Sequence, residues 1–177
     1  MDFLKSADLR LVGQKALAIS ISDIAASGGI PQHAVVALGL PKNMWVYQID
    51  RLAKGLFDLA GKFNINIVGG DISASDKLII DVSMLGQVKK SKLCLRSQAK
   101  AGDIIMVTGE FGGAIKGKHL KFTPRLKEAQ FLVNNFKINA MIDVSDGLAA
   151  DLGHILNQSS VGAVLYESLI PLSKHAR

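Results

Sequence analysis

Three short segments of this sequence carry carboxylates beside glycine or other small residues: Ser22-Asp23-Ile24-Ala25-Ala26, Gly69-Gly70-Asp71 and Asp143-Val144-Ser145-Asp146-Gly147. Small neighbours leave room for an ion and for backbone to approach it. Magnesium takes oxygen ligands, commonly a few carboxylates together with water and substrate phosphates. Asp23, Asp71, Asp143 and Asp146, if brought together, suit such an ion. Gly69 and Gly70 read as a glycine-rich turn able to offer backbone amides to a phosphate. Arg96 carries the planar fork that clamps a pair of phosphate oxygens. The chemistry this points to is phosphate or nucleotide handling on a carboxylate and metal scaffold.

Each feature also has an ordinary reading. Asp23 alone is a solvated helix residue, and Gly69-Gly70-Asp71 alone is a common turn. Ser145 or Asp146 is a natural helix N-cap that needs no ligand. Arg96 reads equally as a solvated loop arginine, and Asp151 as a surface carboxylate one turn into the following helix. Other chemistries lack their residues. The four histidines, His33, His119, His154 and His175, have no metal-ligand spacing. No serine or cysteine sits in a nucleophile elbow. Gly112-Gly113-Ala114-Ile115-Lys116-Gly117-Lys118 has glycines and lysines, but not the order of a phosphate-binding P-loop nor the Ser or Thr that follows its lysine.

The elements that must position these residues alternate between helical and extended patterns, which predicts a mixed α and β protein. Leu17, Ile21 and Ile24 recur at helical spacing within residues 11–27, with Ser20, Asp23 and Ser27 on another face and Gly28-Gly29 as the stop. Residues 34–40 have no polar side chain and read as a buried strand ending at Pro41. Ile49, Leu52, Leu56 and Leu59 mark a second helix. Short strands are expected at 65–68, running into the Gly-Gly-Asp turn, at 78–84 and at 104–107. A helix is expected over 124–136 and another from Leu148 through Ile155, with a last strand over 161–166. A loop at 100–103 offers a domain boundary.

Bulk composition sets the outer limits. The chain has 177 residues, 49% hydrophobic and 20% charged, enough to bury a sizeable core. Its 17 glycines against 4 prolines favour turns and close approaches over a proline-rich linker. A net charge of +6 favours anionic ligands. Only 6% of residues are aromatic, and the lysines form no stripe interleaved with stacking side chains, so nucleotides or phosphates fit this charge better than nucleic acid. Cys94 is the lone cysteine, which excludes an internal disulfide and reads as a buried structural thiol. No signal peptide and no membrane-length apolar run is evident, so the cytoplasm is the expected location.

Taken in order, the segments resemble the thiamine-monophosphate kinase family. The resemblance rests on Gly13-Gln14-Lys15-Ala16-Leu17-Ala18, Ser22-Asp23-Ile24-Ala25-Ala26 with Pro31, Val68-Gly69-Gly70-Asp71 and Arg96-Ser97. It continues through Ala99-Lys100, Gly102-Asp103, Val107-Thr108-Gly109, Pro124-Arg125 and Ala140-Met141-Ile142-Asp143-Val144-Ser145-Asp146-Gly147-Leu148. It implies an α+β, aminoimidazole ribonucleotide synthetase-like two-domain architecture, incomplete here at both termini. The expected division is an N-terminal nucleotide, metal and dimerisation domain over 1–100 and a partial C-terminal domain over 101–177. The implied reaction is ATP-dependent phosphorylation of thiamine monophosphate to thiamine diphosphate, assisted by Mg2+. The resemblance implies Asp23, Asp71, Asp143 and Asp146 as magnesium ligands and Gly70, Asp71, Arg96 and Ser145 as nucleotide contacts, in a homodimer.

The same resemblance implies departures. Family members carry a further acidic segment ahead of the region matched here, Asp2 stands where a substrate-contacting histidine is expected, and the family continues beyond the Ile170-Pro171 region. The expectation is that this chain alone has little or no kinase activity. Two alternatives are an inactive nucleotide-binding module and a sibling ATP-dependent enzyme of the same fold.

Overall fold

The computed structural model describes residues 3–4 and 6–176. The expectation placed on Asp2 lies outside the described residues. The elements run α1 (Leu9–Ala26), β1 (Ile30–Leu40), α2 (Val46–Phe63), β2 (Asn66–Ala74), β3 (Ile79–Gln87), a short α3 (Lys118–Lys121), α4 (Leu126–Asn135) and α5 (Leu148–Ser159).

α1 starts where the Asp8 carboxylate accepts from the Arg10 amide at 2.9 Å, satisfying one of the free N–H groups of a first helical turn. It stops at Gly28, whose φ of 75° suits the left-handed turn that ends helices. α2 opens with the Gln48 side chain reaching back to the Trp45 amide at 2.9 Å and closes on Asn64 in the left-handed region. The two helices touch along glycines. A Cβ on Gly13 would lie 2.2 Å from the Leu52 carbonyl oxygen, and one on Gly55 would lie 1.9 Å from that of Arg10. Arg10 also pairs with Asp58, and Arg51 with Asp8, across the same contact.

Both helices pack on one face of a three-stranded sheet of order β2-β1-β3, with β1 parallel to β2 and antiparallel to β3. Leu17, Ala18 and Ile21 of α1, Leu56, Leu59 and Ala60 of α2, and Ala34 and Val36 of β1 form the core, with Ile65 closing it. Ile67, Ile80, Val82 and Met84 pack against it from the flanking strands. The alternate residues of β1 and β3 face the other way, and Val35, Ile79 and Leu85 stay exposed.

Three expectations are corrected. Gly69-Gly70-Asp71 is not a turn: it lies inside β2, paired with Val35, Val36 and Ala37. A Cβ on Gly70 would sit 1.9 Å from the Val36 carbonyl oxygen, so this glycine permits two strands to approach rather than shaping a phosphate loop. Residues 104–107 and 161–166 are not strands. Among the described residues nothing pairs with them, and an apolar run without a neighbouring strand gains neither ladder hydrogen bonds nor cross-strand contacts. Ile104 and Met106 are accordingly 87% and 75% exposed.

The later elements attach to the first layer through specific contacts. Gln130 of α4 donates to the carbonyls of Gly28 and Gly29 at 3.0 and 2.9 Å. Phe111 and Ser173 exchange backbone hydrogen bonds with the 171–173 and 111 segments, forming an isolated bridge between Phe111 and Leu172. Among the described residues no helix is long and apolar enough to cross a membrane.

Candidate functional site

Asp23 lies in the last turn of α1, where the carbonyl end of the helix dipole is unfavourable to a negative charge. Its surroundings add to the cost. Although part of its surface meets solvent, loss of hydration raises its pKa above the ordinary carboxylate value, and the charge of Asp143 raises it further. Arg96 acts in the opposite direction. Three residues far apart in sequence therefore sit within electrostatic reach of one another. Two like charges held at a partly desolvated point are relieved by a cation between them. With oxygen donors, a hard divalent ion such as Mg2+ fits the donor set.

The position of Arg96 is set by α5. Arg96–Gln98 form a single 3-10 turn, and the Ser159 hydroxyl at the end of α5 donates to the Arg96 carbonyl at 2.7 Å while accepting from the Ala99 amide at 3.0 Å. The start of α5 holds the other side. Gly147 precedes the helix with φ 115° and ψ 158°, a conformation that favours glycine. Neither Ser145 nor Asp146 is the N-cap; both carry exposed side chains.

Asp151, expected at the surface, is 3% exposed. One of its carboxylate oxygens, Oδ2, accepts from the amides of Ser145, Asp146 and Gly147, each at 3.0 Å. The available signal in the sequence was an acid in the first turn of a helix, which complements the free amides there. Ser159 and Gln130 carry no comparable signal.

Asp71 stands apart from this group. The register places it opposite Ala37, in line with Asp81 and on the sheet face away from α1, where Ser73 donates to it at 3.0 Å. Among the described residues no three His, Cys, Asp or Glu side chains converge in a group able to hold a metal. Cys94 is buried, as expected, and burial pushes its thiol pKa up, away from a reactive thiolate.

A helix pair on a small mixed sheet, followed by α4 and α5, is an arrangement with known relatives. The chain belongs to the AIR synthase related protein family: residues 1–88 match its N-terminal domain and residues 100–177 its C-terminal domain. Its relatives include the thiamine-monophosphate kinase of Bacillus subtilis (strain 168), 36% identical over 184 residues, a match covering 91% of this chain and 56% of that protein. The crystal structure of thiamine monophosphate kinase from Aquifex aeolicus superposes with a TM-score of 0.91 at 29% identity, covering 99% of this chain and 65% of that one. A structure of AaThiL complexed with AMPPCP and TMP superposes with a TM-score of 0.89 at 29% identity, covering 98% of this chain and 61% of that one. The chain thus spans little more than half the length of the curated relative.

Proposed function

We propose that this chain is part of a kinase that transfers the γ-phosphoryl group of ATP to thiamine monophosphate, giving thiamine diphosphate and ADP. The observation that carries the reading is the electrostatic coupling of Asp23 with Asp143 and Arg96 across the first and later elements, in a chain similar throughout to thiamine-monophosphate kinases. A related structure was solved with AMPPCP and TMP, which supports ATP and thiamine monophosphate as the ligand pair.

In this reading Asp23 and Asp143 hold one Mg2+ with Asp146 as a further ligand. Asp71, on the other face of the sheet, holds a separate Mg2+ beside the nucleotide, and Gly70, Asp71, Arg96 and Ser145 meet the nucleotide. The metal, when bound, neutralises charge on the transferring phosphoryl group, and phosphoryl transfer depends chiefly on such neutralisation and on positioning. Arg96 adds fixed positive charge, and Ser145 offers a hydroxyl from a loop whose backbone is already hydrogen-bonded. We assign the domain division to residues 1–100 and 101–177, place the protein in the cytoplasm, and assign it as a homodimer through the exposed sheet face.

Calorimetric titration of the chain with AMPPCP and Mg2+ tests the reading. Magnesium-dependent binding is expected, weakened about tenfold or more by Asp23→Asn and by Asp71→Asn, as for loss of a charged ligand. ATP hydrolysis or transfer that requires a different acceptor and ignores thiamine monophosphate overturns the substrate assignment. Absence of magnesium-dependent nucleotide binding overturns the site.

A further inference from the structure

The fourth residue of α5 spends its carboxylate in an unusual direction. An acidic residue near a helix start commonly meets one free amide of the first turn. Asp151 instead reaches back past the N-cap, and its Oδ2 receives the amides of three successive residues, Ser145, Asp146 and Gly147. The group is 3% exposed, and among the described residues no buried side-chain nitrogen or oxygen lacks a partner. Gly147 makes the geometry possible by adopting φ 115°, and no atom would obstruct a Cβ there, so its role is conformational rather than a matter of space.

The consequence concerns the proposed site. Three consecutive amides ahead of a helix form the kind of nest that ordinarily receives a phosphate. Here an internal carboxylate fills that nest. The loop therefore presents side chains, not amides, to a ligand, and it holds the Asp151 carboxylate against its own backbone.

Resting on the kinase reading above, we infer that Asp151 is a positioning residue: it fixes the 145–147 backbone so that Asp143 and Asp146 face a divalent cation, and it denies the loop's amides to phosphate. Removing the carboxylate frees three amides at once, whereas Asn keeps the side-chain shape and one acceptor oxygen. The outer partners of metal-binding side chains typically alter affinity by ten- to a hundredfold when removed.

The test uses Asp151→Ala and Asp151→Asn in the full chain, with two measurements. Amide hydrogen exchange without metal or nucleotide is expected to speed up about tenfold or more at Ser145, Asp146 and Gly147 in Asp151→Ala. Amides of α1 and β1 are expected to keep their rates, and Asp151→Asn to fall between. Mn2+ affinity in the presence of AMPPCP, followed by electron paramagnetic resonance, is expected to fall on the order of tenfold in Asp151→Ala, with substantial rescue in Asp151→Asn. Unchanged exchange at the three amides, or unchanged Mn2+ affinity in a loosened loop, overturns the positioning role alone. Absence of Mn2+ binding by the unmodified chain overturns the kinase reading and the positioning role with it.

Discussion

At the scale of single residues, the chain accepts a local cost at Asp23. Its carboxylate sits at the negative end of α1, loses part of its hydration, and feels the charge of Asp143, with Arg96 compensating only in part. A carboxylate whose folded pKa is raised binds its proton more tightly folded than unfolded. The charged form therefore lowers stability, and the loss develops as pH rises from the ordinary value of 3.8 through the folded value. Asp8 behaves oppositely: the Arg10 amide, then Arg51, hold its pKa down, so its contribution is present at neutral pH and disappears as acid protonates it. Asp23→Asn is thus expected to melt higher than the unmodified chain at pH 7 without divalent cations, and to lose that advantage below about pH 4. Thermal melts across that range check it; an unmodified chain that is the more stable at pH 7 would contradict the electrostatic account. Asp23 itself was legible in the sequence because small residues surround it. The burial of Asp151 was not, since three backbone amides converge on it only after Gly147 takes its unusual conformation.

At the scale of elements, helical periodicity identified α1, α2, α4 and α5, because each keeps an apolar stripe against a neighbour. What periodicity could not convey is distance. Gly13 and Gly55 lie inside helices, where glycine costs about 1 kcal/mol relative to alanine, and the structure explains them as the points where the backbones of α1 and α2 meet. Gly70 does the same between β1 and β2, and for this reason the Gly-Gly-Asp motif was misread as a turn. Propensity and packing oppose each other at Gly55. Alanine gains about 1 kcal/mol of helix propensity but places a methyl 1.9 Å from the Arg10 carbonyl oxygen, an atom that cannot move without moving α1. Overpacking of a rigid contact costs about 1–3 kcal/mol and sometimes more, so Gly55→Ala is expected to destabilise. Gly61→Ala, on the same helix with open space around it, is expected to be neutral or stabilising. Urea denaturation of the pair measures the difference.

At the scale of the molecule, the sheet has one face covered and one bare. Sequence alternation in β3 showed that two faces exist, but not what covers each. The helices take the side of Ala34 and Val36, leaving Val35 at 42% and Leu85 at 72% exposed on the other, with Ile79 exposed further along the same face. Apolar residues scattered singly on a surface are unremarkable, whereas here three lie on one bare sheet face, Val35 between Gly69 and Ser83, Leu85 opposite His33 and Ile79 opposite Gly39, with Asp71 and Asp81 on the same face. A second copy of the same sheet is the occupant the homodimer assignment names. A stable dimer commonly buries about 800 Å² on each partner, and a few well-packed residues near its centre carry most of the binding energy. Leu85→Asp combined with Val35→Asp is therefore expected to convert a dimer into a monomer in sedimentation or light scattering while α1 and α2 keep the far-ultraviolet circular dichroism of the unmodified chain. Because Val35 faces away from the core, the substitutions leave Leu17, Ile21 and Leu56 packed as before. A chain that is monomeric without substitution, at concentrations well above micromolar, would remove the dimer assignment and leave the bare face to another partner.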